Sequence, residues 1–227
     1  MPRHSLLRSS TRWLAGAVFA FFSAGLSPSD AAGTSTKATI VTGFSQTAGL
    51  SAWQMPFPED WELRNEGPFS YLHMKREREP GVPRRPLQFA LLKNVDAVSF
   101  TLNVLVRRAQ GSMIVVFDYV DTLHFYYVHL SMDPGVKQPV HNGIFLIDAA
   151  PRRRLAGVEA RPALPDNAWH DVRIVRDVPS GSIQVFLDKE ATPRFHTVDR
   201  TFTHGQVGLG SFDETGDFAR FRLQVHK

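Results

Sequence analysis

Apolar and polar residues alternate along much of the chain beyond residue 97. Between Val98 and Val106 every even-numbered position is apolar, and most of the positions between them are small or polar. A period of two is typical of a β-strand that turns one face to a core. The run Met113–Tyr119 is apolar or aromatic except at Asp118, which indicates a central strand, and an aromatic strand, His124–Leu130, follows a short polar turn.

The same pattern continues toward the C-terminus. Further strands are predicted at Gly143–Asp148, Asp171–Asp177, Ile183–Leu187, Val207–Phe212 and Phe218–Val225. Clusters of Pro, Gly, Asp and Asn separate them, and Pro179-Ser180-Gly181 predicts a hairpin turn. With 16 glycines, 15 prolines, 11% aromatic residues and almost no helical periodicity, the chain is expected to form an all-β, two-sheet antiparallel jelly-roll sandwich.

The first 31 residues differ from the rest. Three arginines precede the apolar run Trp13–Phe22, and Ser29-Asp30-Ala31 supplies the small residues of a cleavage site. This pattern is typical of a secretory signal peptide, and its apolar part is too short to span a bilayer. We expect a signal peptide at 1–31, an N-terminal extension at 32–56 and the jelly-roll domain at 57–227. The protein is then secreted or periplasmic, with no integral membrane segment after signal cleavage.

Cysteine is absent, which excludes disulfides, thiolate zinc sites and a cysteine nucleophile. The net charge is +4 overall and +2 without residues 1–31, an excess too small to indicate a nucleic-acid partner. Basic residues nevertheless cluster in two segments, from Lys75 to Arg85 and from Arg152 to Arg161. Each cluster is either a solvated loop face or a rim that attracts an acidic polysaccharide.

Several segments together resemble one known superfamily. They are Phe117–Asp121, His124–Leu130, Trp169–Arg173, Gln184–Asp188 and Gly205–Gly210, in this order. The set looks like the concanavalin A-like lectin/glucanase superfamily over residues 57–226. The run from His124, with His141-Asn142 and the arginines that follow, is similar more narrowly to secreted bacterial laminin-G-like proteins. Those proteins are labelled glycoside hydrolase family 16-like or grouped near the 3-keto-disaccharide hydrolases.

The resemblance implies a jelly roll whose concave face, where polysaccharide lies in related proteins, can form a cleft. Strand alternation places His124 and Tyr126 on one face of their strand, and Tyr127 and His129 on the other. Asp118 is expected on the same face as the even-numbered apolar residues of its own strand. A carboxylate there must face a cleft or form a structural hydrogen bond, and both alternatives are open.

Histidine, tyrosine and arginine are concentrated around these strands. Histidine transfers protons near neutral pH, tyrosine acts as an acid or stacks on a sugar, and arginine binds carboxylates through paired hydrogen bonds. The combination suits β-elimination of a uronate polymer. The candidate catalytic residues are His129, Tyr127 and His141, and the candidate substrate-binding residues are Asp118, His124, Tyr126, Asn142, Arg152, Arg154 and His73. For each one, the alternative is a hydrogen-bonded or core structural role.

Other motifs with known chemistry are missing. The pattern Glu-x-Asp-x-x-Glu, which gives family 16 retaining glucanases their pair of carboxylates, does not occur. The spacing from His124 to His129 puts the two on opposite faces of a strand, which disfavours a metal site. Asp213, Glu214 and Asp217 offer oxygens for a structural calcium, but an exposed acidic turn is the preferred interpretation. We expect no cofactor.

Two functions follow from these observations. The favoured hypothesis is a secreted carbohydrate-binding jelly-roll domain that recognises a polysaccharide or glycan on its concave sheet, because the carboxylate pair is missing. The alternative is a carbohydrate-active enzyme, either a polysaccharide lyase or a glycoside hydrolase-like protein, that uses a His/Tyr/Arg cleft.

Overall fold

The computed structural model describes residues 38–42, 44, 50–67, 69–137 and 140–226. Its strands, in chain order, are β1 (Ala38–Thr42), β2 (Trp53–Gln54), β3 (Trp61–Glu66), β4 (Phe69–Met74), β5 (Gln88–Leu92), β6 (Ser99–Arg108), β7 (Ser112–Asp121), β8 (His124–Ser131), β9 (Gly143–Asp148), β10 (Arg153–Ala156), β11 (His170–Asp177), β12 (Ser182–Leu187), β13 (Phe195–Val198), β14 (Gln206–Ser211) and β15 (Gly216–His226). The helical structure among the described residues is one short 3₁₀ helix, Pro58–Asp60.

The strands form two antiparallel sheets with a shared apolar core. One sheet has eight strands, ordered β13-β12-β11-β6-β15-β4-β3, and β1 also pairs with β15. The other sheet has seven strands, ordered β10-β9-β8-β7-β14-β5-β2. Each strand predicted from the sequence is present, and the predicted hairpin joins β11 to β12. The all-β, two-sheet antiparallel jelly-roll sandwich is therefore confirmed.

Alternate residues of each strand fill the core between the sheets. In β6 the side chains of Phe100, Leu102 and Val104 are buried, and the residues between them are partly exposed. From the other sheet, Phe117 meets the ring of Phe100 at a centroid distance of 6.1 Å and stacks on Tyr126 at 5.5 Å. Burying each such side chain stabilises the fold by roughly 1.5–3 kcal/mol.

Part of the expected N-terminal extension, 32–56, belongs to the sandwich. The strand β1 pairs along the C-terminal half of β15, and β2 pairs with β5. Trp53 is buried and packs edge-on against Phe221 at 5.0 Å. The sandwich thus begins before residue 57. The expected signal peptide, 1–31, lies outside the described residues, and within the part that is described no helix is long and apolar enough to cross a membrane.

The seven-stranded sheet is apolar on both faces. In β8 the side chains of Tyr126, Val128 and Leu130 face the core between the sheets, as their alternation predicts. The intervening residues belong to a second apolar cluster on the outer face of the sheet. This outer cluster consists of Phe89, Leu91, Ile114, Val116, Tyr119, Phe125, Tyr127, Phe145, Ile147 and Phe212.

A long segment, residues 75–87, joins β4 to β5, and we name it the crossing loop. Its Arg84 lies over the ring of Phe212, a member of the outer cluster, with the guanidinium carbon 4.9 Å from the ring centre. At the start of the loop, Arg78 donates hydrogen bonds to the carboxylate of the fully buried Asp60. Farther along, Arg85 Nε donates to the carbonyl of Thr122, in the turn between β7 and β8, at 2.8 Å. The loop is therefore fastened at both of its ends, and it helps to exclude water from the outer cluster.

Asp118 departs from the prediction. A β-bulge interrupts the pairing of β7 with β8 after Phe117, and Asp118 adopts a positive φ of 45°. Its carboxylate therefore points between the sheets, where Oδ2 accepts a hydrogen bond of 2.9 Å from Arg176 Nε of β11. The predicted placement beside the even-numbered apolar residues is wrong, because the bulge reverses the alternation. Burial raises the pKa of Asp118 to about 7, although Arg176 favours its charged form.

The guanidinium of Arg176 is fully enclosed and satisfied. Besides Asp118 it donates to the carbonyls of Gly181, Asp199 and Phe202, at 3.0, 3.1 and 2.6 Å. These bonds tie the turn between β11 and β12 and the segment between β13 and β14 to the buried ion pair. Removing only one partner of a fully buried ion pair strongly destabilises a protein, because the other charge is left buried without a counter-ion.

We expect Arg176→Met to lower the free energy of unfolding by about 3–5 kcal/mol, because it leaves a buried carboxylate without a counter-ion. Urea denaturation followed by tryptophan fluorescence measures the change. Arg222→Gln is the matched control, since Arg222 is exposed on β15, and it should change stability by less than about 0.5 kcal/mol. A loss below about 1 kcal/mol in Arg176→Met would contradict the structural importance of the pair.

Candidate functional site

Polar side chains gather over one end of the outer cluster, around Phe212. Phe212 follows β14 directly, and its ring stacks on the imidazole of His129 with centroids 5.5 Å apart. The guanidinium carbons of Arg152 and Arg84 lie 4.5 and 4.9 Å from the centre of the same ring. We name Arg84, Arg152 and His141 the basic rim.

Two separate segments bring the arginines of the rim together. Arg84 belongs to the crossing loop, and Arg152 belongs to the turn between β9 and β10. The backbone N–H of Arg152 donates to the carbonyl of Arg84 at 3.2 Å. The Arg84 side chain is 50% exposed, and its Nη2 lies 3.8 Å from Oδ2 of Asp213. The two guanidinium groups are thus neighbours at the surface.

His129 supports Arg152 from below. The imidazole is fully buried, with Nε2 2.8 Å from Ser112 Oγ and Nδ1 3.2 Å from Arg152 Nη1. Because a guanidinium only donates, Nδ1 is the acceptor and the ring proton is on Nε2. Burial, followed by the charge of Arg152, lowers the pKa of His129 well below its ordinary value. His129 is therefore neutral, and its one lone pair is occupied in holding Arg152.

Tyr127 lies in the apolar floor of the site. Its ring stacks on Phe145 at 5.2 Å, and its hydroxyl is buried without a hydrogen-bond partner. Burial raises the pKa of Tyr127 above its ordinary range, while Arg152 and Arg84 lower it. The predicted catalytic residues Tyr127 and His129 are thus enclosed by protein.

His141 completes the rim. Its ring centre is 5.4 Å from that of His129, and its Nδ1 lies 3.3 Å from Oδ2 of Asp133. The neighbouring Asn142 is fully buried and donates from Nδ2 to the carbonyl of Arg161 at 2.7 Å. The ring of His141 is partly exposed. Asn142, in contrast, joins the start of β9 to the segment around Arg161.

Arg154 lies on the same side of the sheet, but its guanidinium binds a backbone carbonyl. Its Nη1 donates to the carbonyl of Gly135 at 2.5 Å. Burial, with a smaller effect from Arg152, lowers the pKa of the Arg154 guanidinium. The structure therefore brings Tyr127, His129, His141 and Arg152 together, and places Asn142 and Arg154 beside them in structural roles.

The other candidates lie elsewhere. Tyr126 faces the core between the sheets, where its hydroxyl donates to Asp199 and burial raises its pKa to about 12. At the opposite end of β8, Nδ1 of His124 is 2.8 Å from an oxygen of Asp121. Asp118 forms the ion pair described above, so its predicted role in substrate binding is not supported.

His73 belongs to the other sheet. It lies on β4, and its Nδ1 is 2.6 Å from Oδ1 of Asp217 on β15. Arg107 donates to the same carboxylate at 2.7 Å. These contacts place His73 on the outer surface of the eight-stranded sheet, away from the basic rim. The same contacts occupy the carboxylate of Asp217, one of the three acidic residues considered for calcium. The described residues contain no group of three His, Asp or Glu arranged to hold a metal ion.

Several residues of the site were not predicted. Arg84, Phe212 and Asp213 have no periodicity or motif that connects them to Arg152, although Arg84 belongs to a basic segment noted from the sequence. Burial raises the pKa of Asp213, and His141 and the two arginines of the rim act in the opposite direction. A pocket of about 260 Å³ between Asp213 and the crossing-loop residues Glu77, Arg78 and Glu79 borders the rim.

Two larger grooves follow the sandwich edge where β10 lies near β13. They measure about 350 and 420 Å³, and they are lined by residues 155–161 and 190–196. In these grooves Glu190 forms ion pairs with both Arg161, at 3.1 Å, and Arg194.

No protein-family model and no curated protein sequence matches this chain. Solved structures are similar in fold. A CBM66 carbohydrate-binding module from Bacillus subtilis has 15% identity and a TM-score of 0.54, with coverage of 75% of this chain and 94% of the module. Winged bean acidic lectin complexed with methyl-α-D-galactose has 10% identity and a TM-score of 0.53, with 85% and 100% coverage.

Peanut lectin, solved with a nine-residue peptide, gives 9% identity and a TM-score of 0.52, with coverage of 85% of this chain and 98% of the lectin. At such identities the similarity is one of fold. The chain therefore shares the two-sheet jelly-roll fold of these lectins and of the module.

The neutral state of His129 predicts a dependence of stability on pH. An unfolded histidine binds a proton as the pH falls through about 6.5, and buried His129 does not. The unfolded state then holds more protons, so stability decreases by about 1.4 kcal/mol per pH unit below that value. The His129→Gln variant keeps an acceptor for Arg152 but has no imidazole at this position. We expect it to lack this part of the pH dependence of stability.

Urea denaturation at pH 7 and pH 5 measures the difference between the two proteins. The free energy of unfolding of the unaltered protein, relative to that of His129→Gln, should decrease by about 2 kcal/mol between pH 7 and pH 5. The control His204→Gln removes an exposed histidine and should keep the original pH dependence. Parallel pH profiles for His129→Gln and the unaltered protein would show that His129 is protonated in the folded state.

Proposed function

We propose that this protein is a carbohydrate-binding domain that recognises a polysaccharide or glycan at the basic rim. The observation that carries the proposal is the combination of Arg84, Arg152 and His141 over Phe212, on a sheet face that is otherwise closed. Guanidinium and imidazole groups donate hydrogen bonds to sugar hydroxyls or acidic groups. A rigid apolar support beneath them reduces the entropy lost on binding.

Proteins of similar fold support this proposal. One is a carbohydrate-binding module and another is a lectin in complex with a methyl galactoside. A signal peptide at 1–31 would deliver the protein to the periplasm or the exterior, where polysaccharides occur. The narrower relation to laminin-G-like and family 16-like proteins stays a prediction from the sequence.

The enclosed floor changes the expected position of the binding surface. The glycan was expected on the concave sheet itself, but Tyr127, His129 and Phe212, at the outer cluster of the seven-stranded sheet, are buried. We propose that the ligand contacts the rim and the crossing loop. The alternative of a lyase or hydrolase lacks support in the geometry, because the lone pair of His129 is occupied and the Tyr127 hydroxyl is enclosed.

Binding to a panel of soluble polysaccharides tests the proposal, with the purified protein in affinity electrophoresis and titration calorimetry. We expect one polymer class to bind, and His141→Ala to weaken that binding by about three- to tenfold, the value of one lost hydrogen bond. His204→Ala removes an exposed histidine outside the rim and should bind as the unaltered protein does.

The same incubations are assayed for new reducing ends and for unsaturated uronate products. A binding domain should release neither. Product formation that disappears in His129→Gln would contradict the proposal and would support the enzyme instead. Failure to bind any polymer would also contradict it.

A further inference from the structure

We propose that Arg84 and Arg152 form an anion clamp that selects acidic glycans, by binding the carboxylate of a uronic acid or a sulfate ester. The inference depends on the proposed glycan-binding function and assigns its ligand class. Both anions present oxygens in a geometry that guanidinium groups match through paired hydrogen bonds. Four observations support the clamp.

The donors of the two arginines are largely free. A guanidinium carries five N–H donors and no acceptor. Within the described ranges, Arg152 donates to His129 and lies beside the Tyr127 hydroxyl, and Arg84 has one ion-pair contact, at 3.8 Å from Asp213. Other arginines of the protein are bound to carboxylates: Arg78 to Asp60, and Arg194 to Glu190. Arg84 and Arg152 together therefore keep most of their hydrogen-bonding capacity for a ligand.

The clamp is also held in position before a ligand arrives. The backbone bond from Arg152 to Arg84 fixes the distance between the two segments. His129 accepts from one edge of the Arg152 guanidinium, and the Phe212 ring supports both guanidinium groups. The imidazole of His129 and the ring of Phe212 are buried and stacked on each other, so this support loses little side-chain entropy when an anion binds.

The charge at the rim is incompletely balanced. Two cations lie over one aromatic ring, and their carboxylate neighbour is Asp213, 3.8 Å from Arg84. That distance is longer than a hydrogen bond. An anion bridging both guanidinium groups would relieve their mutual repulsion.

The fourth observation is an unused polar atom below the clamp. The Tyr127 hydroxyl is buried, and its neighbour Arg152 can only donate toward the phenolic oxygen, so the O–H proton itself has no acceptor. Buried polar groups in proteins normally have a partner, and an unpaired one costs about 1–3 kcal/mol. A polar ligand group, or the water it orders, would satisfy this donor.

The test compares two forms of one polymer, homogalacturonan with free carboxylates and the same polymer highly methyl-esterified. Esterification removes the charge and keeps the sugar backbone. We expect the unaltered protein to bind the acidic form at least about tenfold more tightly, with an affinity that decreases as salt is added. Dextran sulfate and dextran form a second pair, which distinguishes a sulfate ester from a carboxylate as the preferred anion.

The double variant Arg84→Gln/Arg152→Gln should lose the preference for the acidic polymer. Its matched control is Arg153→Gln/Arg222→Gln, which removes the same charge from two exposed arginines outside the rim. The control should keep the preference, because net charge alone does not form the clamp. Thermal melts confirm that both proteins are folded.

Each outcome decides the question. Equal affinity for the acidic and the esterified polymer overturns the clamp while leaving glycan binding intact. An equal loss of affinity for the acidic polymer in the double variant and in its control also overturns the clamp, since long-range charge would then explain the binding. No binding to any polymer overturns both the clamp and the proposed function. If the double variant fails to fold, binding of the acidic and the esterified polymer by the unaltered protein still tests whether the clamp selects acidic glycans.

Discussion

The central strands of the seven-stranded sheet are apolar on both faces, and the rest of the structure depends on this constraint. In β7 the five residues from Met113 to Phe117 are all fully buried, although their side chains alternate between the two faces. The eight-stranded sheet covers one face and forms the core. The other face needs a second cover, which the crossing loop helps to provide. A curved sheet of the lectin fold is thereby closed where an open cleft was expected.

Closing this face changes the roles of the residues on it. Histidine and tyrosine side chains that would line a cleft become supports for whatever lies above them, as His129 does for Arg152. The groups that a ligand can touch then come from loops: Arg84 from the crossing loop and Arg152 from the turn after β9. Recognition by such groups tolerates changes of loop sequence, while the sandwich beneath keeps its shape.

Sequence analysis was most accurate where the deciding pattern was local. The alternation along β6 and β8 correctly assigned buried positions and faces, because side chains of a strand point to opposite sides in turn. It failed at Asp118, since a bulge inserts an extra residue and reverses the faces without a mark in the residue pattern. It also joined His73 to the site, although the pairing of β4 with β15 places that residue on the other sheet.

The sequence by itself determined the strands, their buried faces, the jelly-roll class and the concentration of His, Tyr and Arg around β8. These properties follow from the order of residues within single strands and turns. Only the tertiary structure decided that Arg84 meets Arg152 over Phe212, and that Asp118 meets Arg176 inside the core. Such contacts join segments far apart in the chain. They depend on which strands pair and how loops close over them, and no local periodicity carries that information.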